Sequence, residues 1–595
     1  MGSPPFSLVV DRCGIYFDAR HISDLENLIQ QAESQSANQR AAQAIAQILR
    51  YKVSKYNQRY QPIDVADFSE QHNILIVDQT VADQSIAYAG AESGHFQQML
   101  AQAHLDHPHS TLWIKIHPDV IAGKASGHFS TQDFARAGVR VIEENYNPIE
   151  LLQQMAEVYV VSSQLGFEAL LCGKKVHCFA LPWYAGWGLS HDQYAPLHLL
   201  KGRRQQSRSL LHVFACAYFH YARYVSPVSQ QRCELEELLT ILQPNIALQG
   251  QLDASLQLYG FSSWKKNFLR DYLNFPQSRL RFCRWIKPSK HSTAVLAWGK
   301  KAYQLKRQGL KPLCTVEDGF IRSIGLGAAL TRPCSLVFDP VGIYYDATAP
   351  SYLENLLNQC DLSSMEIQRA RRLKQRILSL NISKYNVGAR EPLEIHFSGQ
   401  VILVVGQVED DMSVLLGSTD IQSNVDLLRQ VRLNHPDAYI IYKPHPDVNA
   451  GLRSGMISDE ILLGYANQIE VHRSIIECFT VVDEVHTITS LTGFEALIRG
   501  IKVVCYGMPF YAGWGLTQDR HRNPRRVRQL RLEELLYVVL IEYAVYSLPH
   551  CAIALVSVEA VLDDFERQVQ SPHSNKKWYW YWLGYLLKIR SLFTK

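Results

Sequence analysis

The residues best suited to chemistry lie in short polar motifs, and each motif follows an apolar, strand-like run. "GQVEDDMSV" places Gln407, Asp411 and Ser413 directly after "VILVV". A carboxylate at a strand end can act as a nucleophile or a general base, because the strand fixes its backbone beside a cleft. An aspartate here is also a common helix cap, so both interpretations of Asp411 stay open.

The motif "KPHPDV" follows the strand-like run "DAYIIY" and contains Lys443, His445 and Asp447. Its two prolines restrict the backbone on both sides of His445. A histidine held in this way can donate a hydrogen bond to a phosphate or a carboxylate. A turn with a purely structural histidine explains the pattern equally well.

The motif "TSLTGFEAL" marks a strand end followed by a helix start and contains Ser490, Gly493 and Glu495. Free backbone N–H groups and the helix dipole attract an anion such as phosphate at such a position. Glu495 could then accept hydrogen bonds from a ribose or a base. Ordinary capping of the helix by Ser490 or Thr492 is the alternative.

The motif "VEDGFIRS" supplies two acids and one arginine at the end of a further strand-like run. Either Glu317 or Asp318 could be a general base, and Arg322 could clamp a carboxylate or a phosphate. This motif occurs once in the chain, unlike those described above.

An aromatic loop, "MPFYAGWGLTQD", follows the next strand-like run. Its glycines allow tight turns and close approach of the backbone. Tyr511 and Trp514 could form the wall of a ligand pocket. The alternative is a loop wedged between two lobes by aromatic packing, which would place both rings near a cleft.

Most of these motifs occur twice, at a nearly constant offset. "SLVVDRCGIYFDARHISDLENL" (Ser7–Leu28) matches "SLVFDPVGIYYDATAPSYLENL" (Ser335–Leu356), and "YAGWGL" begins at Tyr184 and again at Tyr511. The acids Glu409 and Asp410 are not repeated, which argues against a shared metal-binding D-x-D. The first-copy candidates for chemistry are Gln79, Asp83, Ser85, His117, Ser163, Gly166 and Glu168.

The elements that must position these residues are alternating strands and helices, which predict doubly wound parallel α/β sheets. A chain of 595 residues is too long for one core. We predict a first module over residues 1–242, a linker over 243–255, a complete second module over 256–550 and a helical tail over 551–595. The first module lacks a counterpart of the segment before Ser335 and is therefore expected to be incomplete.

Composition narrows the class of protein. Apolar residues make up 47% and the net charge is +4, which indicates a folded protein and excludes a typical nucleic-acid binder. Twelve scattered cysteines without a C-x-x-C pair suggest a reducing compartment. The N-terminus does not resemble a signal peptide, and no apolar run reaches the roughly 18–20 residues that span a bilayer. These features predict a cytoplasmic protein without bound metal.

The last residues, "NKKWYWYWLGYLLKIRSLFTK", form an aromatic run between basic residues. Tryptophan and tyrosine favour bilayer interfaces, and lysine and arginine favour anionic lipid. This tail is predicted to lie on a membrane surface. A C-terminal helix docked on the protein is the alternative.

Taken together, "EDGFIRS", "DPVGIYYDA", "SKYN", "GQVEDDMSV", "YKPHPDV", "TGFEAL" and "YAGWGL" resemble the KpsC/LipA-type capsule polysaccharide biosynthesis and export proteins over nearly the whole chain. The resemblance implies two tandem GT-B-like modules that are retaining β-Kdo transferases. It implies CMP-Kdo as the donor substrate, no other cofactor, and a lysophosphatidylglycerol-type acceptor at the inner face of the inner membrane. Capsule assembly and export machinery would be the partners.

The resemblance also implies roles for individual residues. Asp411 and Asp83 would be nucleophiles, and Glu317 is a weaker candidate for acid or base work. The donor would contact the two histidines and both helix starts, with neighbouring residues of the same motifs. The implied donor-contacting residues are His445, Lys443, Ser490, Gly493, Glu495, Gln407, Ser413, Arg322, His117, Ser163, Gly166 and Glu168. A non-catalytic export or scaffold protein that binds lipid-linked polysaccharide, or a transferase for another nucleotide sugar, are the alternatives.

Overall fold

A computed structural model of the protein describes residues 5–69, 72–252, 254–285, 294–321, 332–383, 389, 391–449, 453, 457–549 and 551–570. The chain divides into two compact units, unit 1 (Met1–Gln251) and unit 2 (Leu252–Lys595). The predicted site residue Arg322 and residues 571–595 of the predicted tail (551–595) lie outside the described residues.

Unit 1 contains eight strands and ten helices in its described residues. The strands are β1 (Ser7–Val9), β2 (Asn73–Val77), β3 (Thr111–Lys115), β4 (Val139–Ile142), β5 (Glu157–Val160), β6 (Lys175–Cys178), β7 (Ala222–Val225) and β8 (Arg232–Cys233). The helices are α1 (Asp24–Gln30), α2 (Gln35–Tyr51), α3 (Gln84–Tyr88), α4 (Gly94–Asp106), α5 (Pro118–Ile121), α6 (Thr131–Phe134), α7 (Pro148–Gln153), α8 (Leu165–Leu171), α9 (Leu210–Ala215) and α10 (Leu235–Gln251).

The core of unit 1 is a five-stranded parallel sheet in the order β4-β3-β2-β5-β6. Strands β2 and β3 are buried along their whole length and lack alternation of apolar and polar residues. This pattern is expected for strands covered by helices on both faces. A small antiparallel sheet, β1-β7-β8, joins the start of the unit to its end.

Unit 2 contains twelve strands and twelve helices in its described residues. The strands are β9 (Ser255–Tyr259), β10 (Arg279–Cys283), β11 (Ala294–Trp298), β12 (Leu313–Asp318), β13 (Ser335–Asp339), β14 (Val401–Val405), β15 (Tyr439–Lys443), β16 (Gln468–Ile469), β17 (Glu484–Thr487), β18 (Lys502–Cys505), β19 (Gln518–Asp519) and β20 (Ala544–Tyr546). The helices are α11 (Ser263–Tyr272), α12 (Gly299–Arg307), α13 (Tyr352–Gln359), α14 (Ser364–Ser379), α15 (Met412–Gly417), α16 (Asn424–Asn434), α17 (Pro446–Asn449), α18 (Asp459–Leu463), α19 (Ile475–Phe479), α20 (Leu491–Ile498), α21 (Leu532–Tyr537) and α22 (Val558–Gln570).

Unit 2 is built from two six-stranded sheets. The first lobe has the order β10-β9-β11-β12-β13-β20, parallel as far as β12 and antiparallel beyond it. The second lobe has the order β16-β15-β14-β17-β18-β19 and is parallel throughout. The predicted fold class is confirmed, since the chain consists of two tandem GT-B-like modules of Rossmann-like parallel sheets. The described part of unit 1 has one five-stranded parallel sheet where unit 2 has two six-stranded lobes.

The last described helix of each unit packs back on the same unit. In unit 1, Arg40 of α2 donates to Glu236 of α10 at 2.6 Å; in unit 2, Arg369 of α14 donates to Glu559 of α22 at 2.8 Å. Residues 243–251, which the sequence places in the linker, continue α10 past Pro244. The chain stays helical after Pro244 because the apolar face of α10 packs within unit 1, where Leu248 is buried.

The strands that begin the repeated segment differ in their surroundings. In unit 2, β13 lies between β12 and β20, and Leu336 and Phe338 are buried. In unit 1, β1 is an edge strand, and Leu8 and Val10 are 63% and 65% exposed. Across the described ranges, no helix combines the length and the apolar character that crossing a bilayer needs.

Candidate active site

A cavity of about 880 Å³ opens in unit 2 between the carboxyl ends of strands from both lobes. Such a position is where open α/β sheets bind ligands. Nine of the candidate residues from the sequence line this cavity: Glu317, Asp318, Gln407, Asp411, Ser413, Lys443, His445, Ser490 and Glu495. These residues are far apart in the sequence, from Glu317 to Glu495, and the fold brings them together.

Asp411 caps the first turn of α15 and lines the cavity at the same time. Its Oδ1 accepts hydrogen bonds from the Ser413 backbone N–H at 2.9 Å and from the Ser413 hydroxyl at 2.8 Å. The capping and catalytic interpretations are therefore compatible, because the second oxygen, Oδ2, is not needed for the cap. A carboxylate held by one oxygen has a fixed direction, which a nucleophile requires.

Gln407 links the end of β14 to the loop after β17. Its side-chain NH₂ donates to the Thr489 hydroxyl at 3.0 Å, and its side-chain oxygen accepts from the Thr489 N–H at 2.8 Å. The Asn424 side chain in turn bonds to the Gln407 backbone N–H and C=O, both at 2.8 Å. Through these bonds the buried Gln407 amide ties the end of β14 to the loop after β17, and both segments line the cavity.

His445 has a defined tautomer. Its Nδ1 accepts a hydrogen bond from the Asp447 backbone N–H at 3.2 Å, so the neutral ring carries its proton on Nε2. A neutral histidine with Nε2–H can donate to a phosphate oxygen. Lys443, two residues earlier, donates to the Glu470 backbone carbonyl at 3.2 Å, and burial lowers the pKa of its ammonium group.

The start of α20 is a helix cap and a cavity wall together. The Ser490 hydroxyl oxygen accepts from the Thr492 N–H at 3.2 Å. The Gly493 N–H donates to the Ser490 carbonyl at 3.1 Å, and Gly493 is not among the described residues that line the cavity. Its role is in packing, since a Cβ built there would overlap the Tyr511 hydroxyl, which donates to the Ser490 carbonyl.

The aromatic loop packs beside the cavity and contributes part of its lining. Trp514 is fully buried, and its indole N–H donates to the Phe510 carbonyl at 2.8 Å. Gly513 and Gly515 on either side have φ of +81° and +79°, a conformation that favours glycine. Phe510 lines the cavity, whereas Trp514 does not contact it. The interpretation of Trp514 as a pocket wall is therefore replaced by core packing near the cleft.

The first lobe contributes the acid predicted from "VEDGFIRS". Glu317 lies near the end of β12 and lines the cavity beside Tyr344 and Tyr345. Its Oε1 accepts from the Asp318 N–H at 3.1 Å. Burial raises the pKa of both tyrosines, and the negative charge of Glu317 raises it further.

The motif search missed several basic and aromatic residues of the cavity. Lys265 lies 3.3 Å from the centroid of the Trp298 ring, a cation–π contact, and both line the cavity with Lys300. Arg453 and Arg473 line its other side. These residues carry no repeat signal, although "AVLAWGKK" does place Trp298 and Lys300 at a strand end. The positive side chains suit an anionic ligand.

The equivalent residues of unit 1 keep the aspartate cap but differ in the contacts of neighbouring side chains. The Asp83 Oδ1 accepts from the Ser85 N–H at 2.9 Å, as in unit 2. The Gln79 side-chain NH₂ donates to the Ser162 hydroxyl at 3.1 Å, as that of Gln407 does to Thr489, and it also donates to the Asp83 Oδ2 at 3.0 Å. Both oxygens of Asp83 are therefore engaged within unit 1.

The other predicted residues of unit 1 form a compact group at the carboxyl ends of its sheet. Ser163 lies at the start of α8, its carbonyl accepts from the Gly166 N–H at 3.2 Å, and Gly166 is buried against Tyr184. His117 accepts a hydrogen bond on Nδ1 from the Asp119 N–H at 3.2 Å, as His445 does in unit 2.

The repeated "SKYN" motif has a physical role at Glu168. The Ser54 hydroxyl and the Lys55 N–H donate to Glu168 at 2.9 Å and 3.1 Å. Burial nevertheless raises the pKa of Glu168 to about 6. In unit 2, the equivalent Ser383 and Glu495 both line the cavity, so the serine of this motif belongs to the site.

Comparison with known proteins agrees with this architecture. A family model described as "Capsule polysaccharide biosynthesis protein" matches residues 4–224 and 293–548, which are most of both units. The chain belongs to this family. The capsule polysaccharide modification protein LipA of Neisseria meningitidis serogroup B is 43% identical over 562 residues, covering 92% of this chain and 80% of that protein.

Two solved structures from Thermosulfurimonas dismutans KpsC are also similar to this chain. The one described as a β-Kdo 2,7 transferase is 35% identical and covers 53% of this chain and 100% of its own, with a TM-score of 0.44. The one described as a β-Kdo 2,4 transferase is 33% identical and covers 52% and 97%, with a TM-score of 0.46. Membership of the capsule polysaccharide biosynthesis family rests on the family model and on the similarity to LipA.

Proposed function

We propose that this protein transfers β-Kdo from CMP-Kdo to a lysophosphatidylglycerol-type lipid, building the linker on which capsule polysaccharide is carried. The observation that supports this most is the cavity of unit 2, which gathers Asp411, His445, Ser490 and Glu495 at the carboxyl ends of its strands. Membership of the capsule family gives the biological setting.

The second lobe of unit 2 would hold the donor. The CMP phosphate would lie at the start of α20, where it meets the helix dipole and the Nε2–H of His445. Glu495 would accept hydrogen bonds from the ribose or the base. The basic side chains of the cavity would balance the charges of the phosphate and of the Kdo carboxylate.

Asp411 would carry the reaction through two displacements. Its Oδ2 would attack the anomeric carbon, and the bond to the CMP phosphate oxygen would break as CMP departs. The acceptor hydroxyl would then attack the same carbon, releasing the Asp411 carboxylate and giving a product of unchanged configuration. Glu317 would take the proton of the acceptor hydroxyl as a general base.

The test of this function is CMP release by the purified chain with CMP-Kdo and a lipid acceptor. A panel of other nucleotide sugars at equal concentration separates the proposal from a transferase with another donor. A scaffold that only binds lipid-linked polysaccharide would release no CMP above background with any donor. Absence of a Kdo-modified lipid by mass spectrometry would contradict the proposal.

His445→Ala is expected to weaken CMP binding by about 10- to 100-fold, because a hydrogen bond to a charged group contributes about 1.5–3 kcal/mol. Calorimetry with CMP measures this effect. The melting temperature should change little, since the half-buried His445 occupies a loop. His117→Ala, which changes the equivalent histidine of unit 1, is the matched control for His445→Ala. Unchanged CMP affinity in His445→Ala would contradict a phosphate contact.

Deletion of residues 574–595 is expected to move the protein from the membrane pellet to the supernatant. The basic and aromatic residues of this segment would hold the protein on the inner membrane as a peripheral enzyme. CMP release with a water-soluble acceptor should persist, which separates membrane attachment from catalysis. Equal sedimentation with membranes before and after deletion would exclude this role of the tail.

A further inference from the structure

A compact cluster of histidine and glutamate lies in unit 2, away from the proposed active site. It consists of His435, directly after α16, and of Glu484 and His486 on β17. Glu484 and His486 are 6% and 0% exposed, and His435 is half-buried. Glu484 begins its strand, whereas the cavity lies beyond the carboxyl end of the same strand. None of the three residues lines that cavity.

The spacing of the three side chains suits one metal ion. One potential ligand atom from each residue lies within 4.8 Å of those of the other two. His486 Nε2 lies 3.1 Å from Glu484 Oε2, and the two imidazole rings are perpendicular with centroids 5.2 Å apart. Ligands placed about 2.0–2.2 Å from a tetrahedral ion are themselves separated by roughly 3.3–3.6 Å. The cluster therefore needs only a small adjustment to close around an ion.

Contacts on the far side of each group hold the ligands in place. His435 Nδ1 lies 3.2 Å from the Gln400 side-chain oxygen, and His486 Nδ1 lies 3.2 Å from the Tyr506 hydroxyl. Lys502 donates to Glu484 Oε1 at 2.6 Å, which leaves Oε2 directed at His486. Metal-bound histidines characteristically form such a second hydrogen bond through their other ring nitrogen.

The donor set identifies the class of metal. Two imidazoles and one carboxylate are typical ligands of Zn²⁺, with a fourth position for water. We propose that His435, Glu484 and His486 form a zinc site with three protein ligands that ties the end of α16 to β17.

Unit 1 provides an internal comparison at the equivalent place. His107 and Glu157 occupy the positions of His435 and Glu484, but Tyr159 replaces His486. The Tyr159 hydroxyl lies 3.1 Å from His107 Nε2 and donates to Asp106 at 2.8 Å. Glu157 is engaged by His177 at 2.6 Å. His107 Nε2 also lies 3.6 Å from the same Glu157 oxygen, but within the described part of unit 1 no three His, Cys, Asp or Glu ligand atoms lie within 4.8 Å of one another. One zinc per chain is therefore expected.

The experiment is a zinc titration of the full chain after removal of metals with a chelator. One saturable site is expected in the wild-type protein, and zinc should raise its melting temperature. His435→Ala should lower the zinc affinity at least about tenfold and abolish the thermal shift. This half-buried residue lies at a helix end, so its loss leaves the core of the lobe in place.

Two further variants test whether zinc binds at this cluster of unit 2 or elsewhere in the chain. Glu484→Gln should also abolish the zinc shift, while His107→Ala in unit 1 should leave binding unchanged. All variants keep the same twelve cysteines, so zinc held by thiols would persist equally in each. Absence of a saturable site in the wild-type chain, equal affinity in His435→Ala, or loss of the site in His107→Ala would each overturn the proposal.

Discussion

Asp411→Asn is expected to reduce CMP release and Kdo transfer by on the order of 1,000-fold or more, because loss of a catalytic nucleophile can cost up to about 10⁶-fold. Asparagine keeps the size and the cap on Ser413 but cannot form the covalent intermediate. Steady-state rates with CMP-Kdo and a lipid acceptor measure the effect. CMP affinity and the melting temperature should stay close to those of the wild-type chain.

Asp83→Asn is the matched control for this prediction and is expected to change the rate of the 595-residue chain by less than about twofold. Both Asp83 oxygens are engaged by Gln79 and Ser85, and the described part of unit 1 has no second lobe to complete a cleft. Misplacement by about 1 Å can already cost about 100-fold in rate. Substantial transfer by Asp411→Asn would show that the nucleophile lies elsewhere.

Trp514→Ala is expected to destabilise unit 2 by about 3–5 kcal/mol, because it removes a fully buried aromatic side chain and leaves a cavity. The indole also supports the loop that carries Phe510 into the active site, so CMP binding should weaken at temperatures where the fold persists. Chemical unfolding followed by intrinsic fluorescence and calorimetry with CMP measures the two effects.

Trp187→Ala places the same change in unit 1, where the tryptophan is also fully buried and its indole N–H donates to the Trp183 carbonyl at 3.0 Å. It should lower stability by a similar amount while CMP binding by unit 2 is retained. A surface-like cost below about 0.5 kcal/mol for Trp514→Ala would contradict the core position of this side chain.

The fold class could be predicted from the sequence because strand-like runs alternate with amphipathic helices throughout both modules. The convergence of Asp411, His445 and Ser490 could also be predicted, since each follows a strand of one parallel sheet and such strands end at the same edge. Their chemical roles stay predictions, because cavity lining does not by itself distinguish a nucleophile from a helix cap.

Other features depend on tertiary packing and had no local signal. From the sequence, Trp514 between two glycines is equally compatible with a ligand-binding loop and with a side chain packed in the core. Only the packing of the surrounding lobe shows that the side chain is buried. Lys265 and Arg473 reach the cavity from elements without a repeated motif. Pro244 indicates a helix break, yet burial of the apolar face carries α10 to Gln251.

The contact between Gly493 and Tyr511 has a consequence for how these sequences can change over time. A side chain at Gly493 would occupy the place of the Tyr511 hydroxyl, and the same holds for Gly166 and Tyr184 in unit 1. Neither glycine can therefore be replaced in a single step while its tyrosine remains. After duplication the two copies could diverge at most surface positions, but each of these pairs must be inherited as a unit, and any viable exchange would appear as a coupled double substitution.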